Sequence, residues 1–271
     1  MFITRHDVAL PDVYSLEVSA GFASNSIVER SLQHLKGLAA NGDSRAPFAS
    51  LTRTLGLRGG RSTQCVKEDR TGVEFPDSYC HLSRKDCPTL MGTGARAKKL
   101  AGIKSINVYA MGFYMDEKAA KHTCDSDFSC LPPTSLQHNQ ALAERVKTAH
   151  DIEKSVRIVV TSGLVNQERF SKGLRESLEP RLRTAGDLES LEEFEVLFKG
   201  AKFHKGLEMV FTNTQTGALA LRIQDEEVGT VDSPVFTQAF FDLYLGADPV
   251  SKDGKASIVK GIARTVSRAG Y

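Results

Sequence analysis

The sequence predicts an α+β fold. Strand-like runs come first, a mostly helical middle follows, and a hairpin then leads into two terminal helices. That order differs from the strand–helix–strand alternation that builds parallel sheets. The second observation is Ile103–Met115, a long run rich in β-branched and aromatic residues, which reads as a central strand. The third is Phe170, Leu174 and Leu178, recurring every four residues behind Asn166, which reads as a capped amphipathic helix.

Along the chain, Val73-Glu74-Phe75 and the region His81–Met91 read as short strands interrupted by Pro76 and Pro88. Gly92-Thr93-Gly94 then reads as a glycine turn that aims Arg96. Within Ile103–Met115, Gly112 predicts a bulge or a close backbone approach. Asp116–His122 is expected to form a helical turn, and Cys124–Pro133 a loop broken by Pro132-Pro133. Asn139–Asp151 has helical composition, and Ser155–Thr161 is a β-branched run fit for a buried strand. The helix capped by Asn166 should kink or end at Pro180, whose ring blocks the preceding turn. Ser190 and Glu193 have capping-box spacing before a helix near Phe194–Lys199. Leu207–Thr212 and Gly217–Gln224 form a hairpin, with Val228–Val231 as a short third strand. Ser233-Pro234 starts a helix whose Phe236, Phe240, Leu243 and Tyr244 share one face, and a last helix spans about Lys255–Ser267.

The 271 residues divide by composition into an N-terminal extension, 1–64, and a domain, 65–271. The extension is rich in Ser, Ala, Gly and Arg. Its segment Ser50–Arg61 is basic and free of acids, as organelle targeting segments tend to be, while Asp7, Asp12 and Glu17 argue against a transit peptide starting at Met1. The alternative is a disordered extension holding a short amphipathic helix over Ile27–Leu38. The net charge of +2 lies in this extension, so the domain is neutral and lacks the electrostatic footprint of a nucleic-acid binder. No uncharged apolar run approaches membrane-spanning length.

The five cysteines, 65, 80, 87, 124 and 130, have no zinc-knuckle spacing and read as isolated thiols, with Cys124 and Cys130 placed to pair under oxidation. The seven histidines are scattered, so no cofactor or metal is expected. Gly92–Ala97 matches the dinucleotide fingerprint G-x-G-x-x-A, but Lys98–Lys104 leave too little room for the helix that motif needs before the next strand. No Ser-His-Asp, Cys-His or carboxylate pair stands out.

Arg96 and Tyr109 remain. A guanidinium fits a carboxylate with a planar fork of donors, and a tyrosine hydroxyl on a neighbouring strand adds a third. The stretch that carries them, Gly92-Thr93-Gly94-Ala95-Arg96 with Ile106–Tyr114, resembles the chalcone isomerase fold family and, within it, the branch of plastid fatty-acid-binding proteins. Thr71-Gly72-Val73-Glu74-Phe75-Pro76 is similar to the segment that opens that domain, and Val235–Val250 to its C-terminal helix and turn. The resemblance implies a large antiparallel β-sheet covered on one face by a layer of helices, with a ligand cavity between them. It implies non-catalytic binding of a long- or medium-chain fatty acid in support of fatty-acid metabolism, the carboxylate held by Arg96 and Tyr109, and a location in the chloroplast stroma. The cavity walls are expected from Ile106, Val108, Val159, Phe170, Leu174, Leu178, Phe211, Phe240, Phe241 and Leu243.

The alternatives are a chalcone–flavanone isomerase, an intramolecular lyase, and a non-catalytic helper of the flavonoid pathway. The catalytic branch carries a Thr where Tyr109 stands here. It also uses a Tyr, a Lys and an Asn on the first long helix. There, depending on register, this chain has Phe170 or Arg169 for the Tyr and Glu176 or Ser177 for the Asn, and Lys172 matches the Lys in one register only.

Overall fold

The computed structural model describes residues 64–80, 87–99, 105–224 and 226–268. The expected targeting segment and the helix over 27–38 lie outside the described residues, as does the start of the strand expected from residue 103. Eight strands and seven helices are formed by the described residues. A two-stranded hairpin, β1 (Cys65–Lys67) and β2 (Glu74–Pro76), precedes the long strands β3 (Thr89–Lys99) and β4 (Ser105–Met115). Three helices follow: α1 (Glu117–Phe128), α2 (Pro133–Leu136) and α3 (Gln140–Thr148). Strand β5 (Lys154–Val160) leads to α4 (Gln167–Ala185) and α5 (Glu189–Val196). The chain then adds β6 (Glu208–Asn213), β7 (Leu219–Ile223) and β8 (Glu226–Val231), and ends with α6 (Pro234–Leu245) and α7 (Lys252–Val266). Strands β3 to β8 form one antiparallel sheet in sequence order.

Pleating sends alternate side chains to opposite faces. Met111, Phe113, Val156, Ile158, Met209, Phe211, Leu219 and Leu221 point into one large core shared with the helices. The other face holds a small cluster of Phe75, Ala110 and Val159, closed by the β1–β2 segment. There Arg157 lies over the rings of Phe75 and Tyr79, 5.2 and 5.6 Å from their centroids, and its Nε donates to Glu208 at 3.0 Å. Val159 therefore does not line a cavity between sheet and helices. It sits on the opposite face, out of phase with Ile158 and Val160.

Side-chain acceptors set several helix starts. Asp116 caps α1, Asn139 α3, Asn166 α4, Ser233 α6 and Ser251 α7, each accepting from a backbone N–H of the first turn. Four readings from sequence need correction. The helix from Asp116 runs to Phe128, so Cys124 is a buried helical residue rather than part of a loop. Pro180 does not end α4, which continues to the left-handed Gly186; burial of Leu178 and Leu182 on either side outweighs the backbone bond that proline forfeits. The Ser190–Glu193 capping box does not form, because the Asp187 carboxylate takes the Ser190 hydroxyl at 2.7 Å and the Ser233 hydroxyl at 2.5 Å. Cys80 and Cys87 form a disulfide, while Cys124 and Cys130 stay apart as free thiols.

The glycine stretch is the largest departure. Gly92, Thr93 and Gly94 are residues of β3 and not a turn. Helix α7 lies so close to this strand that a Cβ on Gly92 would come within 2.6 Å of the Ile258 nitrogen, and one on Gly94 within 2.5 Å of the Gly254 Cα. Their smallness, rather than their conformational freedom, is what the fold uses. Gly112 likewise makes room, for the Phe75 ring on the other face.

Candidate binding site

Arg96 and Tyr109 are directly opposite partners in the β3–β4 ladder. Opposed residues of an antiparallel pair share a face, so both side chains project toward the helices. One residue further along, the register shifts, with Ala97 opposite Asn107. The bulge leaves Val108 as an extra residue in β4 and breaks the alternation. Tyr109 and Met111 belong to the helix-facing core, and Val108 packs against that same core despite its even number.

Arg96 is partly buried. Its Nη2 donates to the Ser177 hydroxyl at 3.1 Å and to the Gly173 carbonyl at 3.3 Å, both on α4. The Tyr109 ring lies 6.0 Å from the guanidinium carbon. The Tyr109 side chain is 1% exposed, and its hydroxyl has no hydrogen-bond partner. The Tyr244 side chain is 0% exposed and its hydroxyl is likewise unpartnered. Burial opposes the charge on Arg96, but its proximity to the Tyr109 and Tyr244 hydroxyls and to Glu176 holds its pKa above the ordinary arginine value. Burial pushes the Tyr244 pKa well above that of a free phenol, so it remains a neutral hydroxyl. The interior thus contains one permanent cation and two unused hydroxyls, a set that suits an oxyanion.

Beside this set an open cleft of about 570 Å³ lies between the ends of β3 and β4 and the first half of α4. Its apolar wall comes from Ile106, Val108, Leu164, Val165 and Phe170, and its polar lining from Lys98, Ser162, Arg169, Lys172 and Glu176. Lys98 pairs with Glu176 at 3.7 Å, and Arg169 donates to the Leu164 carbonyl at 2.8 Å. Phe170 belongs to both regions: it lines the cleft, and its ring meets that of Tyr109 edge-on at 6.3 Å.

Of the walls expected from sequence, Ile106, Val108 and Phe170 border this cleft. Leu174, Leu178, Phe211, Phe240, Phe241 and Leu243 are fully packed core. Phe211 and Phe240 belong to an aromatic cluster with Phe194 and Phe236, their own rings 4.7 Å apart. Leu164 and Val165 were missed because they fall in a connection with no periodicity. Sequence places Tyr244 on the same helix face as Phe236, Phe240 and Leu243 but does not reveal that its hydroxyl lacks a partner. The helix positions that bear on catalysis are also placed: Ser177 binds Arg96, Glu176 binds Lys98, and Phe170 stands over Tyr109.

The family description "Chalcone isomerase like" matches residues 87–259. Fatty-acid-binding protein 1 of Arabidopsis thaliana is 28% identical over 224 residues, covering 81% of this chain and 75% of that protein. Fatty-acid-binding protein 2 of the same plant is 32% identical over 207 residues, covering 74% of this chain and 52% of that protein. Chalcone isomerase-like protein 1 of Humulus lupulus is 25% identical over 186 residues. The crystal structure of an Arabidopsis thaliana fatty-acid binding protein superposes with a TM-score of 0.68 at 27% identity, covering 75% of this chain and 99% of that one. Among the described residues no helix is long and apolar enough to cross a membrane.

Proposed function

The chain belongs to the chalcone isomerase-like family, and we propose that it binds a medium- or long-chain fatty acid without transforming it, in support of fatty-acid metabolism. The observation that carries this reading is the cross-strand pair of Arg96 and Tyr109, aimed at the helix layer, with the Tyr109 hydroxyl buried and unused. Arg96 holds the carboxylate and Tyr109 adds a donor. The tail occupies the apolar side of the site, reached past Phe170. Burying a dozen methylenes at roughly 0.8 kcal/mol each gives about 10 kcal/mol before ordering costs. A charge-assisted bond contributes about 1.5–3 kcal/mol. The tail therefore sets affinity, and Arg96 sets polarity and orientation. The names of the Arabidopsis relatives support a fatty acid as the ligand class.

Chalcone cyclisation is disfavoured by what occupies α4. Phe170 has no hydroxyl, and the carboxylate of Glu176 and hydroxyl of Ser177 are engaged by Lys98 and Arg96. We also propose that residues 1–64 direct the protein to a plastid. A fluorescent fusion of that segment that stays in the cytosol would refute the address.

The deciding experiment is titration of wild type and Arg96→Met with laurate and with dodecanol. Laurate binding should weaken about ten- to a hundredfold, equivalent to ~1.5–3 kcal/mol, while dodecanol binding hardly changes. Equal laurate affinity in both proteins would remove the basis of the proposal. Measurable acceleration of naringenin chalcone cyclisation by the wild type would transfer the site to the isomerase reading.

A further inference from the structure

Tyr244 carries a polar group for which the packing has no use. It lies in the last turn of α6, 0% exposed, with its ring 5.6 Å from that of Phe240. The same helix buries Phe236, Phe240 and Phe241 on the core side. A phenylalanine at position 244 would fill the space equally well and avoid the penalty of a buried hydroxyl without a partner. The second orphan among the aromatic hydroxyls, Tyr109, comes from the opposite layer; both hydroxyls act on the Arg96 guanidinium, and Tyr109 and Arg96 both act on Tyr244. Arg96 and Tyr109 face each other across β3 and β4, and the buried Tyr244 hydroxyl on α6 lies within electrostatic reach of both. A contact between the two hydroxyls does not satisfy both, because a bonded pair still leaves one hydrogen without an acceptor.

We propose that Tyr244 is a third donor to the ligand head group, and that this site takes the free carboxylate of a fatty acid in preference to its ester or thioester. The inference rests on the reading of Arg96 and Tyr109 as the carboxylate holders. A carboxylate offers about four lone-pair sites on two oxygens. Arg96 supplies its charge and the guanidinium donors that Ser177 and Gly173 leave free, and each tyrosine donates one bond. An ester or thioester lacks the charge and carries a substituent on the acyl group where the carboxylate needs both oxygens open. Two side chains exposed by 1% and 0% leave that substituent no way out past them. Tyr244 also joins α6 to β4 through the ligand, so occupancy ties the helix layer to the sheet.

The test uses the full chain, as wild type, Tyr244→Phe, Arg96→Met and the double variant. Each is titrated calorimetrically with laurate and methyl laurate, and melted without ligand. Ligand-free Tyr244→Phe should melt at or above the wild-type temperature, because an unsatisfied hydroxyl has been removed, yet bind laurate about five- to tenfold more weakly, the loss of one neutral hydrogen bond. Methyl laurate should bind the wild type far more weakly than laurate and be insensitive to either substitution. A merely structural tyrosine would instead lower the melting temperature, and that result overturns the inference, as does unchanged laurate affinity. If Arg96→Met weakens laurate while Tyr244→Phe does not, the third donor fails and the fatty-acid reading stands. If neither does, both fail. Comparable affinities for laurate and methyl laurate in the wild type would overturn the preference for the free acid.

Discussion

Gly261 in α7 and Gly173 in α4 are both helical glycines, and the same substitution should move stability in opposite directions. A Cβ on Gly261 would sit 1.8 Å from the Met91 carbonyl oxygen and 2.6 Å from its carbon. Met91 lies at the register shift of β3. The obstacle is backbone and not the end of a flexible side chain, so helix and strand must separate. Overpacking of this kind costs about 1–3 kcal/mol. The gain in helix propensity from Gly to Ala, about 1 kcal/mol, offsets part of it. Because the approach is so close, the upper part of that range applies, leaving a net loss of about 1–2 kcal/mol. At about 2–4 °C per kcal/mol for a domain of this size, Gly261→Ala should melt about 2–8 °C below wild type. A Cβ on Gly173 meets nothing within 4 Å. Gly173→Ala collects the propensity term alone and should melt about 2–4 °C higher. Thermal and urea unfolding of both variants, followed by circular dichroism, gives the comparison. If Gly261→Ala is as stable as wild type, α7 does not rest on β3 as closely as described; if Gly173→Ala is destabilised, that face of α4 is not open.

Lys154 is fully buried, with its ammonium donating to the Ala149 carbonyl and lying 5.2 Å from the Phe241 ring centroid; burial lowers its pKa to about 8, partly opposed by Asp151. Between about pH 8 and the unfolded value near 10.4, the unfolded chain holds a proton that the folded chain does not, so stability should rise with pH across that window relative to Lys154→Met, by on the order of 3 kcal/mol in total; parallel stability profiles for the two proteins would rule this out. Thiol labelling offers an independent check: in the native oxidised protein Cys65 and Cys130 are exposed and should react with maleimide, while Cys124, buried and with its pKa pushed up to about 11, should not. Mass spectrometry should then count two labels before reduction and unfolding and five after. A label on Cys80 or Cys87 before reduction would contradict the disulfide.

Local chemistry made much of this chain legible. A carboxamide or hydroxyl one residue before an apolar stripe favours a helix cap, which is why Asn166 and Ser233 mark true helix starts. The β6–β7 hairpin and the strand carrying Tyr109 follow from alternation, β-branching and intervening turn residues. The α+β class follows from the order of those elements. Arg96 and Tyr109 stood out because a cation and a phenol interrupt otherwise apolar or glycine-rich backbone.

Other features belong to contacts between residues far apart in the chain, and no local pattern encodes them. Gly92 and Gly94 read as a turn because glycine favours turns; only α7, more than 150 residues later, shows that they are strand residues cleared for a helix. Val159 lies in a run buried on both faces, so parity alone does not say which side it meets. The bulge beside Tyr109 that also turns Val108 toward the helices depends on the register against β3. Burial on both sides carries α4 through Pro180. Tyr244 and Tyr109 are 135 positions apart, and both hydroxyls come within electrostatic reach of Arg96 only when the chain folds. Sequence fixes which groups are present and which face of an element is apolar; whether a buried donor has a partner is a property of three-dimensional packing, because the partner, or the space where one is missing, comes from another part of the chain.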